Sequence, residues 1–313
     1  MSADDIPFPE EKSRAPEIPL DSPVRVGRIL NVPIYEEALQ WRLKIQPFSQ
    51  GGFEARATLV DRNKLAGLIY SNQTRQRRPR DKDRDKTESE SDRQKAAYRA
   101  ARRVRHLCIE IRADRMLTLT SRGLLREFDQ VIQAWKRFMR LVERAEAKFR
   151  YVAVPELHGS GEHFHIHVAI NGYLKAELMR RCWQIALGGR GNERGQDALG
   201  NVDIKSRRYG KPGPSDSVKI ARYLSKYITK GYLENHRFNR KRYWASRDIR
   251  LPEETGEWLS ATEKSGVINE LVERFGGSMF GSMISNGLYM PETGRPMIFM
   301  RWMPDMGELD VPF

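Results

Sequence analysis

Four of the six histidines in this 313-residue chain fall between Glu156 and Ile170. The run reads Glu156-Leu-His158-Gly-Ser-Gly-Glu-His163-Phe-His165-Ile-His167-Val-Ala-Ile170. His163, His165 and His167 alternate with Phe164, Ile166 and Val168. In a strand successive side chains point to opposite faces, so this spacing predicts three imidazoles on one face and apolar side chains on the other. Neutral imidazole is a common ligand for divalent cations. Gly159-Ser160-Gly161 reads as a turn. Strands over 150–157 and 162–170 would then form a hairpin that returns Glu156 to the histidine face. A carboxylate and two imidazoles with open coordination positions suit Mg²⁺ or Mn²⁺ acting on a phosphate.

A second stretch carries a nucleophile pattern: Ser215-Asp-Ser-Val-Lys-Ile-Ala-Arg-Tyr223-Leu-Ser-Lys226-Tyr227-Ile-Thr-Lys230-Gly231. Ser215 or Asp216 can cap a helix start and Gly231 can end it. At helical spacing Val218, Ala221, Leu224, Ile228 and Tyr232 fall on one side, and Tyr223, Tyr227, Lys219, Lys226 and Lys230 on the other. The apolar face is complete without Tyr223 and Tyr227, so these two phenols, one turn apart, face outward or into a cleft. A free phenol with a pKa near ~10 is about one-thousandth ionised at neutral pH. Neighbouring ammonium groups and a metal-bound phosphate favour the phenolate, which is the environment that phosphotyrosine chemistry needs.

The elements that must hold these residues are readable in outline. Met116-Leu-Thr-Leu-Thr120 alternates apolar and hydroxyl side chains, a strand signature. From Leu124 to Phe149 the apolar residues Phe128, Val131, Ile132, Trp135, Phe138, Met139 and Val142 recur at helical spacing, as does a shorter set over 174–187. Residues 96–108 form a basic helix with Tyr98, Ala101, Val104 and Leu107 to bury. Residues 202–205 read as a strand, 261–275 as a helix, and 297–303 as an aromatic, Met-rich end. The glycine-rich 188–195 lacks the G-K-[ST] ending of a phosphate-binding P-loop, and no such motif occurs elsewhere.

Composition bounds the partners. Lys and Arg number 55 against 41 Asp and Glu, a formal charge of +14, which favours a polyanion, with nucleic acid first. The two cysteines, Cys108 and Cys182, form no C-x-x-C pair, against a zinc finger or disulfide scaffold and for a reducing cytoplasm. No apolar run reaches the ~20 residues of a membrane span, so no membrane partner is expected. The acidic, proline-rich start is unlike a signal peptide. The expected organisation is a disordered tail over 1–24, a small annex over 25–70, a charged linker over 71–95, a catalytic domain over 96–250 and a C-terminal extension over 251–313 that packs on it or forms an origin-recognition surface.

Leu117-Thr-Leu-Thr120, His165-Ile-His167 with Val168-Ala-Ile170, and Tyr223-Leu-Ser-Lys226-Tyr227-Ile-Thr-Lys230 occur in that order. Together they resemble the three motifs of HUH endonucleases, specifically rolling-circle replication initiators of phage and plasmid type; relaxases usually place the tyrosine before the histidines. The resemblance implies an α+β fold: an antiparallel sheet with the histidines on a central strand, flanked by helices. It implies that His165 and His167 bind Mg²⁺ or Mn²⁺, with Glu156 as third ligand. Tyr223 and Tyr227 would be the nucleophiles, with Lys226 and Lys230 beside them. The substrate would be single-stranded origin DNA, nicked to a 5′-phosphotyrosine and a free 3′-OH in the cytoplasm of a bacterial host, whose helicase and DNA polymerase complete replication. No small-molecule cofactor is expected. Whether one or both tyrosines act is left open, as is His163 among a further ligand, a base and a phosphate contact. Two other readings use part of the pattern. His163-Phe-His165-Ile-His167 also fits a histidine-triad nucleotide hydrolase, and the charge alone fits a non-enzymatic nucleic-acid-binding protein. An all-β cupin site is opposed by the intervening helices.

Overall fold

The computed structural model describes residues 25–29, 32–35, 38–74, 90–145, 149–158, 161, 163–206, 214–234, 242–275 and 297–303. The tail expected over 1–24 lies outside them. In chain order the elements are Arg25–Ile29 (β1), Val32–Tyr35 (β2), Leu39–Pro47 (β3), Phe53–Asp61 (β4), Arg62–Thr74 (α1), Glu90–Glu110 (α2), Arg115–Ser121 (β5), Phe128–Arg144 (α3), Tyr151–Leu157 (β6), Phe164–Ile170 (β7), Ala176–Ala186 (α4), Gly200–Ser206 (β8), Pro214–Glu234 (α5), Trp244–Ala245 (β9), Thr255–Trp258 (β10), Lys264–Phe275 (α6) and Met297–Trp302 (β11). The fold is α+β with antiparallel sheets, as the sequence predicts.

Five strands pair in the order β8-β5-β7-β6-β9, all antiparallel. Strand alternation gives this sheet two different faces. Leu117, Leu119, Ala153, Ile166, Val168, Ile170 and Val202 point to one side and pack with Val131, Trp135, Phe138, Met179 and Trp183 of α3 and α4. α3 begins with a reciprocal cap: the Glu127 carboxylate accepts from the helix backbone, and the Gln130 side chain accepts from the Glu127 N–H at 3.0 Å. Trp183 Nε1 donates to the Thr120 carbonyl at 2.7 Å, fixing α4 to the end of β5.

The other face divides along its length. Met116, Val152, Val154 and Ala169 lie in a core with α2 and α5. Further along the same face stand Thr118, Thr120, Glu156, His165 and His167, by the registers that join β5 and β6 to β7. α2 buries Ala97, Ala101, Val104 and Cys108, spaced for one helical stripe. That stripe and Val218, Ala221, Leu224 and Ile228 of α5 share one core.

The charged stretch expected as a linker over 71–95 is helical where it is described, in α1 to Thr74 and in α2 from Glu90. Glu, Arg, Gln and Lys are good helix formers, so a lack of apolar residues there does not argue for coil. The annex and the C-terminal extension join in one sheet of order β10-β3-β4-β11. Trp41, Leu43, Ala55, Ala57, Ile298 and Met300 of that sheet pack against Val267 and Leu271 of α6. Its opposite face meets α2 through Glu54. This buried carboxylate accepts from Arg105 Nε at 2.9 Å and Arg301 Nε at 2.8 Å, and lies 3.0 Å from His106 Nε2. Burial alone would raise its pKa, but Arg105, Arg301 and His106 outweigh that and hold it well below the ordinary carboxylate range.

Candidate active site

β7 is the third of the five strands, so the histidine face is bordered by a strand on each side. Glu156 of β6 lies directly opposite His165, and Thr118 of β5 opposite His167. Both nitrogens of His167 are engaged. Nε2 is 2.8 Å from Glu156 Oε2 and Nδ1 is 3.2 Å from Thr118 Oγ1. One tautomer satisfies both: Nε2–H donates to the carboxylate and Nδ1 accepts from the threonine hydroxyl. His167 is buried, at 5% exposure.

α5 lies over this end of the sheet. Its apolar stripe is anchored in the α2 core, which turns Tyr223 and Tyr227 toward β7. Tyr227 stacks on His167 with ring centroids 4.8 Å apart, and Tyr223 meets the same ring edge-on at 5.7 Å. The two phenol rings are 4.7 Å apart. They differ in environment: Tyr223 is 40% exposed, whereas Tyr227 is half-buried and packs against the α2 core. Burial first, then its hydrogen bond with Tyr223 and the nearby Glu156 charge, push the Tyr227 phenol well above its ordinary pKa. Lys219 and Lys226 are exposed on α5. Lys230 is on the same helix, and its side chain lies outside the described residues.

The residues from Glu156 to Ile170 do not form one continuous histidine stripe. β7 starts at Phe164, so His163 belongs to the turn. There the His158 N–H donates to the His163 carbonyl at 2.8 Å, and Gly161, at φ 76°, donates to the His158 carbonyl at 2.8 Å. That left-handed backbone favours glycine. The turn stacks His158 on His163 at 4.6 Å, with His165 at 4.9 Å from His158 and 5.2 Å from His163. One ligand nitrogen from each of the three lies within 4.8 Å of the others. His158 is a residue the spacing argument missed. Its signal was present, since it sits in the same fifteen residues, but strand parity cannot place a residue beyond a turn.

His165 belongs to both groups. Partial burial, followed by repulsion from His158, His163 and His167, lowers its pKa to about 4, against the opposing pull of Glu156. It is therefore a neutral imidazole, with a lone pair for a cation, throughout the physiological range. The donor chemistry fits a divalent ion: three imidazoles converge in the turn, with a carboxylate and a fourth imidazole beside them.

Residues 114–232 match a family model described as a replication-associated protein of the ORF2 type. The matched segment begins just before β5 and ends inside α5, so it contains Thr118, Glu156, all four clustered histidines, Tyr223 and Tyr227. No curated protein and no solved structure matches the chain.

Proposed function

We propose, for a chain that carries through residues 114–232 a domain of the ORF2-type replication-associated protein family, that it initiates rolling-circle replication by nicking single-stranded origin DNA through tyrosine. The family assigns the chain to DNA replication. The observation that best supports the finer reading is the packing of Tyr223 and Tyr227 on His167, beside His165 and Glu156, on one sheet face.

A divalent cation on this face, Mg²⁺ or Mn²⁺ in the simplest reading, would polarise the scissile phosphate. His165 is the ligand shared by the two residue sets available to it: Glu156 with His167, and His158 with His163. Tyr223 is the better initiating nucleophile, because its phenol is the more exposed. Its oxygen, having lost its proton to water, bonds to phosphorus. The bond from phosphorus to the 3′ oxygen breaks, and that oxygen takes a proton from water to become the free 3′-OH. The strand is then held as a 5′-phosphotyrosine. Tyr227, one turn away, can repeat the exchange after a round of synthesis. Lys226 and Lys230 supply positive charge toward the DNA. The host helicase and DNA polymerase would open and extend the strand. No described helix is long and apolar enough to cross a membrane.

The test is a covalent adduct on a denaturing gel, using labelled single-stranded DNA from the encoding replicon with Mn²⁺ or Mg²⁺. Wild type is compared with Tyr223→Phe, Tyr227→Phe, the double variant and His165→Ala. The expected result is a metal-dependent adduct lost in Tyr223→Phe and His165→Ala. An adduct that survives loss of both tyrosines overturns the reading and favours a histidine-triad hydrolase.

A further inference from the structure

We infer that His158, His163 and His165 form an all-imidazole cation site in the β6–β7 turn, separate from the Glu156–His167 pair, and that it takes a transition metal in preference to Mg²⁺. The inference rests on the nicking reading only for the purpose of the metal, not for its binding.

Three observations carry it. First, the turn brings one nitrogen of each of His158, His163 and His165 within 4.8 Å of the others. Ligand nitrogens around a metal held at ~2.1 Å stand about 3.4 Å apart in tetrahedral geometry. The gap closes by small rotations of the exposed His158 and the half-exposed His163. Second, the backbone already holds the turn shut, through the His158 N–H to His163 carbonyl bond and the left-handed Gly161. The site is thus largely organised before any ion arrives. Third, His167 is committed elsewhere. Both its nitrogens have partners, Glu156 at 2.8 Å and Thr118 at 3.2 Å, and its ring lies flat on Tyr227. Recruiting it to a metal would break one of those bonds in a buried position, which is costly.

The donor set then decides the ion. Mg²⁺ demands oxygen ligands and dehydrates reluctantly, whereas neutral imidazole suits Zn²⁺, Co²⁺, Ni²⁺ and Cu²⁺, with Mn²⁺ weakest among the transition ions considered. Three protein ligands leave positions open for a phosphate oxygen or water. Glu156 and His167 are left as a positioning pair, holding Tyr227 against the sheet.

The experiment uses the full-length protein and Co²⁺ as the probe, with titration calorimetry for affinity and visible absorption for the ligand field. Wild type is compared with His158→Ala, the double variant His158→Ala/His163→Ala, and Glu156→Gln. The expected result is one Co²⁺ per chain with nitrogen-type absorption, weakened at least 10-fold by His158→Ala and lost in the double variant. Glu156→Gln should bind within about twofold of wild type, and millimolar Mg²⁺ should not displace Co²⁺. Binding that survives the double variant but is lost in Glu156→Gln overturns the inference and moves the cation to Glu156, His165 and His167. His158 is exposed, so its single variant stands if the double variant fails to fold. Co²⁺ binding to the turn with no DNA adduct would sink the nicking reading and leave the site. An adduct with binding indifferent to His158 and His163 would do the reverse.

Discussion

Two histidine–carboxylate contacts in this protein look alike in distance and differ in surroundings. Glu54 lies 3.0 Å from His106 and Glu156 lies 2.8 Å from His167. Around Glu54 stand two guanidiniums, from α2 and β11, in a buried junction between a sheet and a helix. Around Glu156 and His167 stand imidazoles and phenols, on a face that opens through Tyr223 and His158. A buried carboxylate surrounded by fixed cations is a fastening. A carboxylate among neutral ligands and nucleophiles is suited to chemistry on a phosphate. The same pair of residue types thus serves structure in one place and reactivity in the other, and the neighbours decide which.

The sharpest break between the two is kinetic. Tyr223→Phe removes the exposed phenol and should lower adduct formation by roughly 10³-fold or more, with the denaturation midpoint unchanged. Glu54→Ala should do the opposite. It strands Arg105 and Arg301 in a buried site, and a loss of about 3–5 kcal/mol by chemical denaturation is expected. Glu156→Gln should cost no more than about 1 kcal/mol, the worth of one hydrogen bond to His167. If Glu54→Ala proves mild and Glu156→Gln severe, the comparison is inverted.

A smaller effect is electrostatic. His165 is held near a pKa of about 4 by burial and by its histidine neighbours. Between the ordinary imidazole value of 6.5 and about 4, the unfolded chain binds a proton that the folded one does not. Stability of the metal-free protein therefore falls as pH drops through that window. In His158→Ala/His163→Ala two repulsive neighbours are gone. The His165 titration followed by NMR should move upward, and the acid-side loss should shrink. The smallest effect is a control. Arg150 and Asp248 pair at 2.8 Å with both side chains more than half exposed. Arg150→Ala should change stability by no more than about 0.5 kcal/mol, because such pairs are screened by solvent.

The regular parts of the site were legible because short-range periodicity dictates them. The Leu117–Thr120 alternation, the α5 stripe of Val218, Ala221, Leu224 and Ile228, and the off-stripe position of Tyr223 and Tyr227 all follow from spacing within one element. What spacing could not supply was contact between elements. Nothing local links Glu54 to Arg301, since a strand's partner is chosen by the whole fold and β4 and β11 are far apart in sequence. His158 escaped notice for a related reason. Its approach to His163 depends on the turn, where the period-two rule stops. The helical character of 90–95 was hidden because a charged sequence reads equally well as solvated coil and as the end of a helix whose packing begins at Ala97.

The junction at Glu54 also bears on how the molecule is made on the ribosome. Chains emerge from their N-terminal end and fold domain by domain as they do. β4 is complete early, yet β11, which pairs with it and brings Arg301 to Glu54, is the last strand described. Until β11 arrives, Glu54 lacks one of its two guanidiniums and the sheet that bears on α2 lacks an edge. α2 in turn backs the helix that carries Tyr223 and Tyr227. A nascent or truncated chain would therefore hold its nucleophiles on a loosened support, so that full nicking competence waits for the finished polypeptide.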